Sequence, residues 1–345
     1  MIKLGTIKLN NISKSMVNKV LDMNMIGQSE VIQEFENVFA EKIGSDYAVA
    51  VSNGTMADTI ALAALKNLYP GQNEVILPAL TFAAQLNSVL HNGLKPVFYD
   101  DFYHIGDLIN KKTLCIFPVH LLGEPIDITS LKQMCDSFKV HSVEDACEAL
   151  GSKYELAGVG SYYVGTLGDM GTFSFFPSHT ITTGEGGMIV TNDKDLYELC
   201  KKLRNHGRSS EKDFHFDVVG FNGKMTSMQA AVGLGMMQDF DEIVKRKMDN
   251  LKKFSGFDAK FCPHGFSVQY QSEKERNEKL ELLRKNNIEC RNLFSCLPTQ
   301  EKAYEFLGYR KGEFPLSENK GETCLYVPCH QDLNDEDIEK IKSLI

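Results

Sequence analysis

The sequence predicts an α/β protein: a mostly parallel seven-stranded sheet in a large domain, followed by a smaller α+β domain. Three observations predict it. Short apolar runs recur through residues 47–191, helix-like patterns separate several of them, and the patterning changes after residue 240. Alternation of this kind buries a sheet between two helical layers, because parallel strands need crossovers and the crossovers cover both faces.

The elements follow in order. Residues 1–27 form a lead-in, and residues 29–43 an amphipathic helix with Val31, Ile32, Phe35, Val38 and Phe39 on one stripe. Residues 47–51 read as the first strand, and Ser52-Asn53-Gly54-Thr55 turns it into a helix over 56–65. The start of that helix presents free N–H groups and the positive end of a dipole, which suits an anion. Six more strands are expected at 75–77, 96–99, 114–118, 140–143, 172–175 and 188–191, with helices at 82–90, 128–138 and 195–203. GFNGKM at 220–225 is a glycine-bounded loop, after which Thr226 caps a helix leading to a second helical pattern at 240–254. The large domain is placed at 1–239 and the small one at 240–345, where short apolar runs such as 266–268 alternate with charged helices such as 273–286.

Composition limits the function. With 345 residues, 43% of them hydrophobic and 24% charged, the chain can bury a substantial core. A net charge of −9 with no basic run argues against nucleic acid as a partner. No apolar run approaches the roughly 20 residues needed to span a bilayer, and the N-terminus lacks the apolar core of a signal peptide, so a cytoplasmic protein without a membrane partner is expected. Nine cysteines without a CxxC or CxC pair read as buried thiols, so no metal and no iron–sulfur cluster is expected.

Ligands of such sheets bind at the carboxyl ends of the strands. There the sequence puts Asp145, the aromatic Phe82, the hydroxyl of Ser174, and the loop FSFFPSHTITTGEGG (173–187) carrying His179. An anion cradle, an aromatic plate, a carboxylate and a base together suit a phosphorylated planar heterocycle. His120 reads as a strand-end histidine satisfied within the fold, and Glu185 as structural.

Several blocks carry a resemblance. SNGT (52–55), ILPALTFAAQLNSVLHNGLKPVFYD (76–100), VHLLGEPID (119–127), VEDACEALGS (143–152), GTLGDMGTFSFFPSHTITTGEGGMIVTND (165–193), RNHG (204–207), GFNGKMTSMQAAVG (220–233) and YVPCHQDLNDEDI (326–338) are collinear and cover nearly the whole chain. They resemble the DegT-type sugar aminotransferases, which have fold type I of the vitamin B6 enzymes. The resemblance implies that Gly54, Thr55 and Ser174 hold the phosphate of pyridoxal 5'-phosphate and that Phe82 stacks on its ring. It implies that Asp145 pairs with the ring nitrogen, and that Glu148, where members commonly carry Gln, lies near the ring hydroxyl. Asn222 resembles the position that reaches the phosphate of a neighbouring subunit, which implies a homodimer with shared active sites. His206, Arg291 and His330 are weaker candidates for substrate contact.

One departure sets the expected chemistry. Most members carry, where this chain has His179, the lysine that binds the cofactor covalently, and no lysine lies between Lys153 and Lys194. Imidazole cannot form that bond, so pyridoxal or pyridoxamine phosphate is expected to be held non-covalently. Histidine suits proton transfer at cellular pH instead. A histidine here resembles the sugar 3-dehydratases, and the missing CxC element together with Asn287-Ile288-Glu289-Cys290-Arg291 resembles the cluster-free branch exemplified by GDP-4-keto-6-deoxymannose 3-dehydratase. The resemblance implies loss of the C3 hydroxyl from a nucleotide-linked 4-keto-6-deoxyhexose, with glutamate as amino donor. A nucleotide-sugar aminotransferase, or a non-catalytic member that has lost its lysine, are the alternatives. Contacts to the nucleotide base are expected on residues 208–219 and within the first 27.

Overall fold

The computed structural model describes residues 1–210, 214–258 and 260–345. Of the segment 208–219 expected to meet the nucleotide base, residues 211–213 lie outside the described residues.

The central sheet has seven strands: β1 (Tyr47–Val51), β2 (Glu74–Pro78), β3 (Lys95–Tyr99), β4 (Thr113–Ile116), β5 (His141–Asp145), β8 (Met170–Ser174) and β9 (Gly187–Thr191). Between β5 and β8 lies a small antiparallel hairpin, β6 (Lys153–Leu156) and β7 (Gly160–Tyr163), which the sequence reading lacked. The sheet order is β1-β9-β8-β5-β4-β2-β3, and its pairs are parallel except those made by β9. All seven strand positions follow the expected runs. Alternation explains why: Ala48 and Ala50 face one core cluster while Val49 and Val51 face the other, so both faces of the strand are apolar.

The helices cover both faces. Helix Glu30–Ile43 sends Phe35 and Phe39 against Phe173 and Phe175, with ring centroids 5.3–5.5 Å apart. This ring cluster underlies the strand that delivers Ser174 to the site. Helix Asn11–Asp22, inside the expected lead-in, was not legible because its sequence NISKSMVNKVLD is polar on most sides. It is fixed by tertiary contact instead: Asn10 caps it and donates from Nδ2 to Gly235 O at 2.7 Å. A Cβ on Gly235 would come within 2.4 Å of Ser13, so the two helices touch backbone to backbone only because 235 is glycine.

The C-terminal part has its own three-stranded antiparallel sheet, β10 (Gly265–Gln269), β11 (Arg291–Asn292) and β12 (Cys324–Pro328), in the order β10-β12-β11. Helices Phe240–Ser255, Glu273–Lys285 and Asp335–Lys342 enclose a separate core around Leu251, Leu283, Leu325 and Val327. The chain does not divide cleanly at residue 240, however. Ile2 pairs with Ile288 beside this second sheet. In the other direction Cys296, Leu297, Tyr304 and Phe314 sit in the core of the large sheet, where Tyr304 Oη donates to Asn87 Oδ1 at 2.9 Å.

Candidate active site

The carboxyl ends of β1, β5 and β8 meet at a cavity of about 250 Å³. Its floor comes from the large sheet. Asn53 caps helix Gly54–Leu68, accepting from Met56 N at 2.8 Å, so the first N–H groups of that helix point into the cavity without an intrahelical acceptor. A Cβ at Gly54 would lie 2.8 Å from Ser174 Cβ and 3.0 Å from Cys147 Sγ, so the absent side chain is what leaves the cradle open. Thr55, Ser174 and Phe82 line the same cavity, and Phe82 is largely exposed, with its ring 5.4 Å from that of Phe294.

Asp145 is aimed by its neighbour. Glu144 points to the other side of β5 and is fully buried. It accepts from Tyr154 Oη at 2.8 Å, from the N–H groups of Gly165, Leu167 and Gly168 at 2.6–3.0 Å, and from His120 Nε2 at 3.2 Å. His120 Nδ1 accepts from Ile126 N, so Nε2 is the protonated nitrogen. The strand-end reading of His120 thus describes its place in the fold. These bonds tie the turn at 165–168, which leads into β8, to β5, and with Glu144 turned to that side Asp145 lines the cavity.

A charge is missing from that floor. Asp145, Asp58 and Cys147 place their ligating atoms within 4.8 Å of one another, the two aspartates buried and Cys147 half-buried. Burial pushes both carboxyls up, Asp58 also because Asp145 lies beside it, although Thr172 Oγ1 donates to Asp58 at 2.7 Å. Burial and the two carboxylates together push the Cys147 thiol up as well. Among the described residues no basic side chain pairs with either aspartate. A protonated ring nitrogen supplies that charge, a phosphate fits the open helix start, and Phe82 offers a flat apolar face. The residues therefore fit pyridoxal phosphate, and the fit rests on two buried acids without a cation and a cradle that one methyl group would close.

The roof comes from the C-terminal part. His264 reaches the cavity from just before β10, Arg291 from β11, Phe294 from the loop after it and Tyr326 from β12, where Arg291 and Tyr326 are register partners. His179 lies between floor and roof. Its ring centroid is 5.0 Å from that of His264, and the Nδ1 atoms of both are buried without a hydrogen-bond partner. Burial, then the nearby Lys247 ammonium, pushes His179 down to about 3, so the imidazole is neutral. Lys247 itself is buried on helix Phe240–Ser255 and donates to Thr180 Oγ1 at 3.1 Å, tying the loop next to His179 to the second part of the chain. Glu148 receives Leu122 N–H at 2.7 Å, and burial pushes its carboxyl up to about 7.

Of the residues singled out from sequence, Gly54, Thr55, Phe82, Asp145, Glu148, Ser174, His179 and Arg291 line this one cavity, and so does Glu185, which the sequence reading took as structural. Asn222 does not: it bridges to Asn205 on the far side of β1. His206 lies there too, in the left-handed region with φ 60°, lining a second cavity of about 590 Å³ with Asn205, Arg208 and Lys224. His330 is turned into a local bend where its Nδ1 accepts from Asp332 N at 3.2 Å, outside the active-site cavity. Asp58, Cys147, His264, Phe294 and Tyr326 were missed. Asp58 had a usable signal, since it follows Thr55 by three positions and shares its helix face.

Comparison with known proteins agrees with this geometry. Residues 8–345 match the DegT/DnrJ/EryC1/StrS aminotransferase family. GDP-perosamine synthase of Escherichia coli O157:H7 is 36% identical, covering 94% of this chain and 92% of its own. GDP-4-keto-6-deoxy-D-mannose 3-dehydratase of Yersinia pseudotuberculosis is 28% identical over 95% of this chain and 93% of its own. The solved E. coli GDP-4-keto-6-deoxy-D-mannose 3-dehydratase with bound hydrated pyridoxal phosphate superposes with a TM-score of 0.89 at 24% identity, covering 100% of this chain and 99% of that one. The chain belongs to the DegT/DnrJ/EryC1/StrS aminotransferase family, with the fold of the type I vitamin B6 enzymes.

Proposed function

We propose that this enzyme removes the C3 hydroxyl from a nucleotide-linked 4-keto-6-deoxyhexose, using pyridoxamine phosphate held without a covalent bond. The observation that carries the reading is the lining of the cavity: among the described residues it contains His179 and no lysine. The names of the perosamine synthase and 3-dehydratase relatives support a GDP-linked sugar as substrate.

When bound, the cofactor supplies an amine that condenses with a keto group and a ring that takes up electrons. The protein does the rest. The N–H groups at Gly54 and Thr55 and the hydroxyl of Ser174 would hold the phosphate, and Phe82 would offer its face to the ring. Asp145 keeps the ring nitrogen protonated, because an opposite charge within ~4–6 Å favours the charged form. His179, neutral in its buried setting, takes a proton at its ring nitrogen and returns one to the departing hydroxyl. Arg291 and Tyr326 close the sugar side against water. Glutamate would be the amino donor, and Asn222 would reach the phosphate of a second subunit in a homodimer.

The test is a panel of GDP-, CDP-, UDP- and dTDP-linked 4-keto-6-deoxy sugars incubated with glutamate and read by product mass. A 3-deoxy product from the GDP-linked sugar is expected, and borohydride should fix no cofactor to the protein. Covalent trapping at a lysine would sink the non-covalent site. A second reading, sugar aminotransferase, is favoured by the higher identity to perosamine synthase, 36% against 28% for the dehydratase. An aminated product in the same panel would establish it.

A further inference from the structure

Leu122 adopts a left-handed conformation, φ 53°, in the turn after His120. A bulky residue held there is strained, and such strain persists where the surroundings enforce it. Both of its backbone groups are used on the active site. Its N–H donates to Glu148 Oε2 at 2.7 Å, and its C=O accepts from the N–H of His264 at 2.9 Å. One residue thus fixes an acid from the large sheet against an imidazole from the C-terminal part. His264 Nε2 then faces Glu148 Oε1 at 3.7 Å, and its ring lies 5.0 Å from that of His179, tilted by 46°. Three ionisable groups form a chain from the centre of the cavity to its wall.

We propose that His264 and Glu148 form, with His179, a proton path that empties and refills the base. A proton taken up by His179 passes to His264 when the two rings, 5.0 Å apart, turn their unpartnered Nδ1 atoms into contact. His264 releases the proton on its Nε2 to Glu148 Oε1 as the 3.7 Å gap between them closes. The carboxylate becomes a carboxylic acid, and the reverse transfer restores it. The net charge of the three groups does not change as the proton moves among them, so no additional buried charge is created. The environments are set apart as a relay requires. Burial and the mutual nearness of the two imidazoles hold His264 well below its ordinary value, whereas Glu148 stands at about 7. Asp145 and Cys147 on its own turn, Lys247 from helix Phe240–Ser255, and Arg291 and Tyr326 from the second sheet are the other titratable or charged groups facing this chain.

The path rests on the reading of His179 as base, so its test includes a measurement that needs no turnover. In protein labelled with nitrogen-15 at histidine and loaded with pyridoxamine phosphate, the ring-nitrogen shifts of His264 are followed across the neutral range. They are expected to move with a midpoint near 7 as Glu148 ionises, and to stay flat in Glu148→Gln. A flat His264 in the parent, or a transition that survives in the variant, overturns the path. In turnover, Glu148→Gln and His264→Asn should each lower kcat at least roughly tenfold with KM within about twofold, and the double variant should be no slower than the worse single one. Parental kcat in Glu148→Gln would mean that the carboxyl only stands in for an amide beside the cofactor, and also overturns the path. If the nitrogen transition is present while no keto sugar is dehydrated, the path holds and the dehydratase reading fails.

Discussion

The floor and the roof of the cavity are built in different ways. The floor is local: each functional side chain closes a strand of one sheet, and the sheet alone brings Gly54, Asp145 and Ser174 together. The roof is assembled from residues 264, 291, 294 and 326, held through loops and a short three-stranded sheet. On the proposed function, cofactor binding would be a property of the large sheet, while proton handling and substrate contact would depend on how the C-terminal part is docked to it. The bonds from Lys247 Nζ to Thr180 Oγ1 and from His264 N–H to Leu122 O are two of the connections that fix this docking beside the cavity.

Substitutions can break or sharpen that contrast, and the largest effect belongs to the floor. Asp145→Asn removes the charge that holds the ring nitrogen protonated, and kcat is expected to fall on the order of 10³-fold with the fold intact, measured by steady-state rates beside circular dichroism. Glu148 sits at the junction, and its contribution is readable in the protein without cofactor. Its folded value of about 7 stands above the ordinary 4.5, so the unfolded chain releases this proton first as pH rises. Stability should therefore fall between those two values, by on the order of 3 kcal/mol in all, and level off above the higher one. In Glu148→Gln that decline should vanish, giving a melting temperature above the parent's at alkaline pH and equal to it at acid pH.

Gly54→Ala tests the cradle without touching any charge. The new methyl group meets Ser174 and Cys147, and an overpacking cost of about 1–3 kcal/mol should weaken cofactor binding ~10–100-fold in an absorbance titration. The smallest effect belongs to the roof: Phe294→Ala loses one ring contact with Phe82, worth about 1 kcal/mol, and should raise KM several-fold while cofactor affinity stays put. A larger loss of cofactor affinity from Phe294→Ala than from Gly54→Ala would erase the distinction between the two halves.

What could be seen in the sequence follows the same line. The seven strands and the floor residues were legible because a buried parallel strand is a continuous apolar run, and the residue that ends it faces the ligand. The roof was mostly opaque. His264 lies in Pro263-His264-Gly265, with no periodicity on either side, and Tyr326 in an apolar strand like any other. Arg291 stood out only through the resemblance. Helix Asn11–Asp22 and the hairpin of β6 and β7 were missed because their stability comes from neighbours distant in the chain, such as the Gly235 contact, and local pattern does not carry that information.

The return of residues 296–314 into the core of the large sheet has a thermodynamic consequence. Tyr304 and Phe314 are buried among side chains contributed by β2 and β3, and Ile2 at the other end of the chain lies beside Ile288. Neither part can lose its structure without exposing apolar surface that the other part covers, so melting should appear as one calorimetric transition rather than two. A fragment ending near residue 240 would lack part of its own core, so the large-sheet half is not a unit that folds alone.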